Sequence, residues 1–251
     1  MRNATGIVIA AALVSVLGFG AWTMNGNEDP DNPFPASGPV MGHGDDRYPS
    51  SSANEWVSNA DHVVVATPLS EAEIAPGTTE VDRGEGLIGR NVTMRVDKLL
   101  WSSPQPAAPA PQTYSRQSSG WVFQDTVDNR REFALHDRPR IEPGHSYIIA
   151  LHWEPARCSE GDEPEPAQWV GLGAGSNLPF DDGVIGKGEF EGEVQPAPAP
   201  ALGLTGAEVL DDPVAEVLAG QGQSALVNLL SQAIPESPTT QASRPGIAAT
   251  C

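Results

Sequence analysis

Between Gly89 and Trp101 the sequence GRNVTMRVDKLLW sets Val92, Met94 and Val96 in alternation with Thr93, Arg95 and Asp97. Successive side chains on a β-strand point to opposite faces, so this run has one apolar and one polar face and belongs in a half-buried strand. The phase moves by one residue at Leu99 and Leu100, which predicts a bulge or bend there. Other runs supply neighbours for such a strand. Val63, Val64 and Val65, bounded by Asp61 and Pro68, form a β-branched run expected to be a buried strand. In GHSYIIALHWEPARC, residues 144–158, an EPGH turn leads into Tyr147, Ile149, Leu151 and Trp153 on one face. Weaker strands are expected at SGWVFQDT and REFALH, and tight hairpins in AQWVGLGAGSNLPFDDGVIGKGEFEG.

Helical signals frame these strands. Ser52 and Glu55 of SSANEWVSNA have capping-box spacing for a short helix. TGAEVLDDPVAEVLAG and SALVNLLSQA predict one or two helices, with Leu226, Leu229 and Leu230 as the apolar stripe and Gly220, Gly222 and Pro235 as punctuation. The expected body is therefore mainly β, a small antiparallel barrel or sandwich of five or six strands with a C-terminal helical segment.

Composition limits how much of the chain can join this body. Gly 26 and Pro 24 together form about a fifth of 251 residues, against roughly 12% in an average protein. They concentrate in DPDNPFPASGP, SSPQPAAPAPQ and QPAPAPALG. Residues 1–24 carry Arg2 and then an uncharged apolar run from Gly6 to Trp22. Its length lies between a signal-peptide core and a full membrane span, so both a signal-anchor helix and a cleaved signal stay open. Arg2 precedes the run and Glu28, Asp29 and Asp31 follow it, an asymmetry that places the body outside the membrane. The expected organisation is an anchor over 1–24, a disordered stalk over 25–51, an exported domain over 52–234 and a disordered tail over 235–251.

The net charge of -19 is unevenly spread. Residues 83–140 carry nine basic groups against six acids, whereas 154–216 carry fourteen acids and only Arg157 and Lys187. Nucleic acid is thereby a poor partner, because phosphate binding needs a clustered cationic face. Arg83, Arg90, Arg95 and Lys98 lie along or beside the main strand. They either bind an anionic ligand or neutralise the chain's own acids.

Residues 144–158 are the only stretch that gathers two histidines, an acid and a cysteine. His145 and His152 are seven positions apart and fall on opposite strand faces, while His152 and Glu154 share one, with Cys158 just beyond. A metal site on His152, Glu154 and Cys158 lacks the further cysteines that the H-x-E zinc pattern requires. The competing reading is an outward polar strand face. Asp181, Asp182 and Gly183 fit a two-residue turn better than a calcium loop, whose alternating acids are missing. Neither glycine-rich stretch has phosphate-cradle spacing, no nucleophile motif is present, and no cofactor is implied. The two cysteines, Cys158 and Cys251, either pair, closing a loop of about 90 residues worth about 4 kcal/mol, or stay separate.

ADHVVVATP, NVTMRVDKLLW and PGHSYIIAL together resemble exported bacterial domains built as small oligosaccharide/oligonucleotide-binding-type (OB) barrels, related in shape to tissue-inhibitor-of-metalloproteinase and netrin-like modules. The Ala/Pro/Gly-rich composition, with GEGLIGR and WVGLGAG, is similar to that of uncharacterised membrane-anchored actinobacterial proteins. The resemblance implies a barrel over about residues 60–153. It carries no inhibitory mechanism, because the inhibitors' N-terminal cysteine and many disulfides have no counterpart here. The functional expectation is a non-enzymatic binding or interaction domain tethered to the membrane, with an envelope or surface protein as partner. The alternatives are an envelope hydrolase using acids such as Glu154, Asp181 or Asp182, and a structural spacer.

Overall fold

The computed structural model describes residues 38–44, 46–135, 140–158, 165–190, 193–195 and 207–235. The segment expected to be an anchor lies outside them, as do 25–37 of the stalk, the tail from 236, and Cys251. Among the described residues no helix is long and apolar enough to cross a membrane.

The strands are β1 (Val40–Gly42), β2 (His62–Ile74), β3 (Glu85–Ser102), β4 (Thr113–Gln124), β5 (Thr126–Leu135), β6 (Tyr147–Glu154), β7 (Gln168–Gly171), β8 (Asn177–Asp181), β9 (Val184–Ile185), β10 (Gly188–Phe190) and β11 (Glu193–Gln195). The helices are α1 (Ala53–Asn59), α2 (Thr78–Arg83), α3 (Val214–Leu218) and α4 (Gln223–Gln232). One large sheet runs in the order β1-β5-β4-β3-β2-β6-β8-β9, with β7 also paired to β6, while β10 and β11 form a separate pair. All pairings are antiparallel except β1 with β5. β6 gives one edge to β2 and divides the other, pairing β8 through Tyr147–Ile149 and β7 through Leu151–Glu154.

The sheet is mainly β as expected, yet it does not close. It curls until β4 faces β7 across a seam with no backbone ladder, bridged by Arg116 Nη1 donating to Asn177 Oδ1 at 2.7 Å. The inner face of the curl buries Val64, Ala66, Val92, Met94, Tyr147, Ile149 and Leu151. On the opposite face Val63, Val65, Ile148 and Ala150 pack against Trp56, Val214, Leu226 and Leu230 of the helices. β6 is thus apolar on both faces at its centre, which a strand covered on both sides requires.

Local rules explain most elements. Ser52 Oγ accepts from Glu55 N and the Glu55 carboxylate accepts from Ser52 N, so the capping box starts α1. The phase shift at Leu99 and Leu100 is a bulge: Val63 pairs with Trp101 and Val64 with Leu99, leaving Leu100 unpaired. Asp182 and Gly183, at φ 53° and 77°, turn β8 into β9 as a two-residue hairpin. The stripe Leu226, Leu229 and Leu230 is buried.

Two expectations fail for the same reason, distant contacts that outweigh local composition. Residues 38–51, read as stalk, pack on the body. β1 pairs with Phe133–Leu135, Tyr48 N donates to Leu172 O, and Trp56 Nε1 donates to Ser50 O at 2.6 Å. Asp46 takes the Ala174 N–H and the Ser50 hydroxyl, closing this N-terminal strap over the 3-10 turn Ala174–Ser176. The proline-rich run after β3 is also part of the fold. Asp61 Oδ1 accepts from Ala107 N, His62 Nε2 bonds Ala108 O, and Val96 N donates to Gln112 O, each within 2.9 Å.

Candidate functional site

The end of β6 gathers the polar residues singled out above. Glu154 is buried. Its Oε1 accepts from Arg47 of the strap and, at 3.4 Å, from Tyr48 Oη. Arg157 Nη2 lies 3.8 Å from Oε2 and also pairs with Glu165. Burial beside Glu154 holds the Tyr48 phenol above its ordinary pKa, with desolvation the larger cause. The expected outward polar face is therefore covered, by a segment about a hundred positions away in sequence. Glu154 Oε1 belongs to a structural ion pair with Arg47, while Oε2 is buried with no hydrogen-bond partner among the described residues.

His152 shares that face but is tied elsewhere: Nδ1 lies 2.8 Å from Asn59 O, and the ring stacks on Tyr48 with centroids 4.6 Å apart. Asp61 stands 3.7 Å from it. Both Asp61 oxygens already accept backbone N–H groups, from Ala107 and from Trp153. Cys158 is disulfide-bonded, so it offers no thiolate; Cys251 lies outside the described residues. No group of three or more metal-type ligands occurs among the described residues.

The carboxylates named for hydrolysis are not brought together. Asp181 accepts from Ser146 N at 3.0 Å and from His145 Nδ1 at 2.6 Å, just before β6 begins. Glu154 closes the same strand, seven residues beyond Tyr147, or about 23 Å along it. Paired acids of a glycosidase stand about 5–9.5 Å apart. Asp182 is exposed at the hairpin tip.

The four cations of the β3 region do not form one face. Arg90 is buried: its Nε donates to Ser119 O, Nη1 to Glu71 and Nη2 to Arg140 O, at 2.7, 2.6 and 2.5 Å. Arg95 is exposed and paired with Asp97, Lys98 is exposed, and Arg83 sits in the last turn of α2 at the far end of the β2–β3 hairpin.

Arg90 and Arg140 explain the basic character of this section. Opposite Gly89, β4 carries two residues, Ser119 and Gly120, because Ile88 pairs with Trp121 and Arg90 with Ser118. Such a bulge leaves carbonyls without ladder partners. Arg90 takes the Ser119 oxygen and Arg140 Nη1 takes that of Gly120 at 2.7 Å. Ile141, next to Arg140, is buried at a left-handed φ of 59°, a costly conformation for a β-branched residue.

Sequence reasoning passed over Tyr114 and Arg116. They occupy alternate positions of β4 at the open seam, and Tyr114 Oη and Arg116 Nε are buried without hydrogen-bond partners among the described residues. Their only sequence signal is the alternation in TYSRQ, which marks a shared face but not its burial. Burial raises the Tyr114 phenol to about 12, while the Arg116 charge beside it pulls the other way. The folded chain thus keeps this phenol protonated to higher pH than the unfolded chain. Its stabilising contribution, of the order of 2–3 kcal/mol, is complete below about pH 10 and is lost as pH rises through about 12. Urea unfolding between pH 9 and 12 should show this decline, and Tyr114→Phe should flatten it; an equal slope in both proteins would assign the decline to other groups.

Against protein-family models, curated proteins and solved structures, the chain finds no match in any of the three, so its functional reading rests on this geometry.

Proposed function

We propose that the body, residues 38–235, is a binding or interaction domain held at the outer membrane face by the N-terminal segment, with an envelope or surface protein as partner. The docked strap is the observation that carries this reading. With 38–51 pinned to the sheet, only residues 25–37 separate the body from the expected anchor segment 1–24, a chain that spans at most about 45 Å. A domain fixed on so short a tether presents a defined surface close to the membrane. The curl of the sheet also supports treating the body as an OB-type barrel left open at one seam. The buried polar residues that a search for chemistry would choose first, Asp61, Arg90 and Glu154, are engaged in holding the chain together.

An envelope hydrolase has one observation in its favour, though not through paired acids. His62 Nδ1 lies 2.8 Å from Ser102 Oγ, and Nε2 lies 2.9 Å from Ala108 O. With the proton on Nε2, His62 would accept from an exposed serine, an arrangement that can activate a nucleophile. The same contacts serve the proline-rich run as an anchor, the role assigned here.

Two measurements separate the readings. Crosslinking at the native cell surface, with the full chain compared with one lacking 38–235, is expected to capture one reproducible protein lost with the domain. A fluorophosphonate probe is expected to leave Ser102 unlabelled. Labelling that disappears in both Ser102→Ala and His62→Gln would favour hydrolysis. No captured partner, with wild-type function kept when an unrelated domain replaces 38–235, would make the body a spacer.

A further inference from the structure

β4 places Tyr114 and Arg116 two positions apart, hence on one face, and that face meets β7 and the start of β8 where the curled sheet carries no ladder. Tyr114 is 7% exposed, and among the described residues neither its hydroxyl nor the buried Arg116 Nε has a partner of full hydrogen-bond geometry, although the guanidinium lies close enough to act on the phenol. Buried donors in folded proteins are almost always paired, so two adjacent donors with no acceptor among the described residues mark a place for an added acceptor.

Charge narrows the identity of that acceptor. Arg47, Arg90, Arg95, Arg130, Arg140 and Arg157 each face a carboxylate of the protein. Arg116 faces none among the described residues, although the chain carries a net charge of -19; its hydrogen bond goes to the neutral Asn177 amide, with the Tyr114 phenol beside it. Asn177 is itself oriented by donating from Nδ2 to Gly173 O at 2.6 Å, which turns its oxygen to the guanidinium and holds the fork in place. A guanidinium N–H beside a phenol O–H matches the two oxygens of a carboxylate. Tyr114 belongs to a buried cluster with the apolar Met94, Ile141 and Trp169.

We propose that the β4–β7 seam binds a carboxylate attached to an apolar group, with Arg116 Nε–H and the Tyr114 hydroxyl as its donors. The site lies in the interior of the curl, so it goes beyond the partner-docking reading and stands independently of it. Free small acids and the C-terminal carboxylate of a peptide share this chemistry.

The test uses the full chain, with the Met94 methyl observed by NMR during titration with acetate, an N-acetylated trialanine acid and the corresponding amide. Both acids should shift the Met94 signal saturably and the amide should not. Tighter binding of the tripeptide acid assigns the site to chain termini, and equal binding assigns it to small acids. Arg116→Gln should weaken binding by about tenfold or more, the usual worth of a charge-assisted pair, and Tyr114→Phe should weaken it less. Should Arg116→Gln fail to fold, Arg116→Lys keeps the charge without the Nε donor and should show a similar loss. The contrast between acid and amide in the unaltered chain needs no variant. Absence of a saturable shift, equal response to the amide, or unchanged affinity in a folded Arg116 variant would overturn the proposal.

Discussion

Arg90→Ala is expected to destabilise the body by about 3–5 kcal/mol, from the void left by a large buried side chain and the carbonyls that lose its donors. The side chain is almost wholly buried in β3 and holds the Ser119 and Arg140 carbonyls and Glu71, with Glu142 at 3.5 Å. Alanine leaves a void, two carbonyls with fewer donors and Glu71 without this cation, while Glu142 keeps Arg140. Urea unfolding at neutral pH measures the loss. Lys98→Ala, on the same strand but exposed, should stay within about 0.5 kcal/mol of wild type. A loss below about 1 kcal/mol for Arg90→Ala would show that the cluster is not a structural clamp.

Gly120→Ala should be comparably damaging through sterics alone. A Cβ at Gly120 would drive into the Ile88 carbonyl oxygen and stand 3.1 Å from both the Ile88 and Gly89 carbonyl carbons, all backbone atoms of β3. Those atoms cannot withdraw cheaply, because β3 is paired on both edges and Arg90 ties the bulge from the next position. A loss of about 3 kcal/mol or more is expected, at or beyond the upper end for overpacking. Gly144→Ala is the control: nothing lies within 4 Å of its added Cβ, and its cost should come from a left-handed φ of 93° alone. Because Arg90 and Gly120 serve one bulge, the double variant should lose clearly less than the sum of the two, a coupling that a double-mutant cycle reads directly. Additive losses would mean that the arginine and the glycine act separately.

The two substitutions also bear on how the cations of β3 should be understood. A row of basic residues in an acidic chain either binds an anion or neutralises the chain's own acids, and Arg90 is its centre in sequence. In the fold Arg90 is a clamp for a strand irregularity, and a guanidinium with no acid facing it among the described residues is Arg116, one strand away. Linear order cannot make this distinction, since Arg90 and Arg116 occupy similar alternating positions. What separates them is whether Glu71 and Glu142 or only Asn177 arrive from elsewhere in the chain.

Features set by the periodicity of a single segment were legible from the residues themselves. Val92 and Met94 face inward because a strand alternates, Leu100 is skipped where that alternation breaks, Ser52 caps α1, and Asp182-Gly183 turns a hairpin. Each depends on backbone geometry over a few residues. Tertiary structure alone decided the burial of polar groups. Glu154 and His152 look outward on their own strand and are covered by Arg47 and Tyr48; the glycine- and proline-rich strap and the run before β4 look unable to pack and are held by Asp46, Asp61 and His62. The same holds for the seam, which exists because a curling sheet brings β4 to β7 without pairing them. A charged or polar side chain is stable inside a protein only when its partner arrives there too, and partners tens of residues away are placed by the fold and leave no mark in the local pattern.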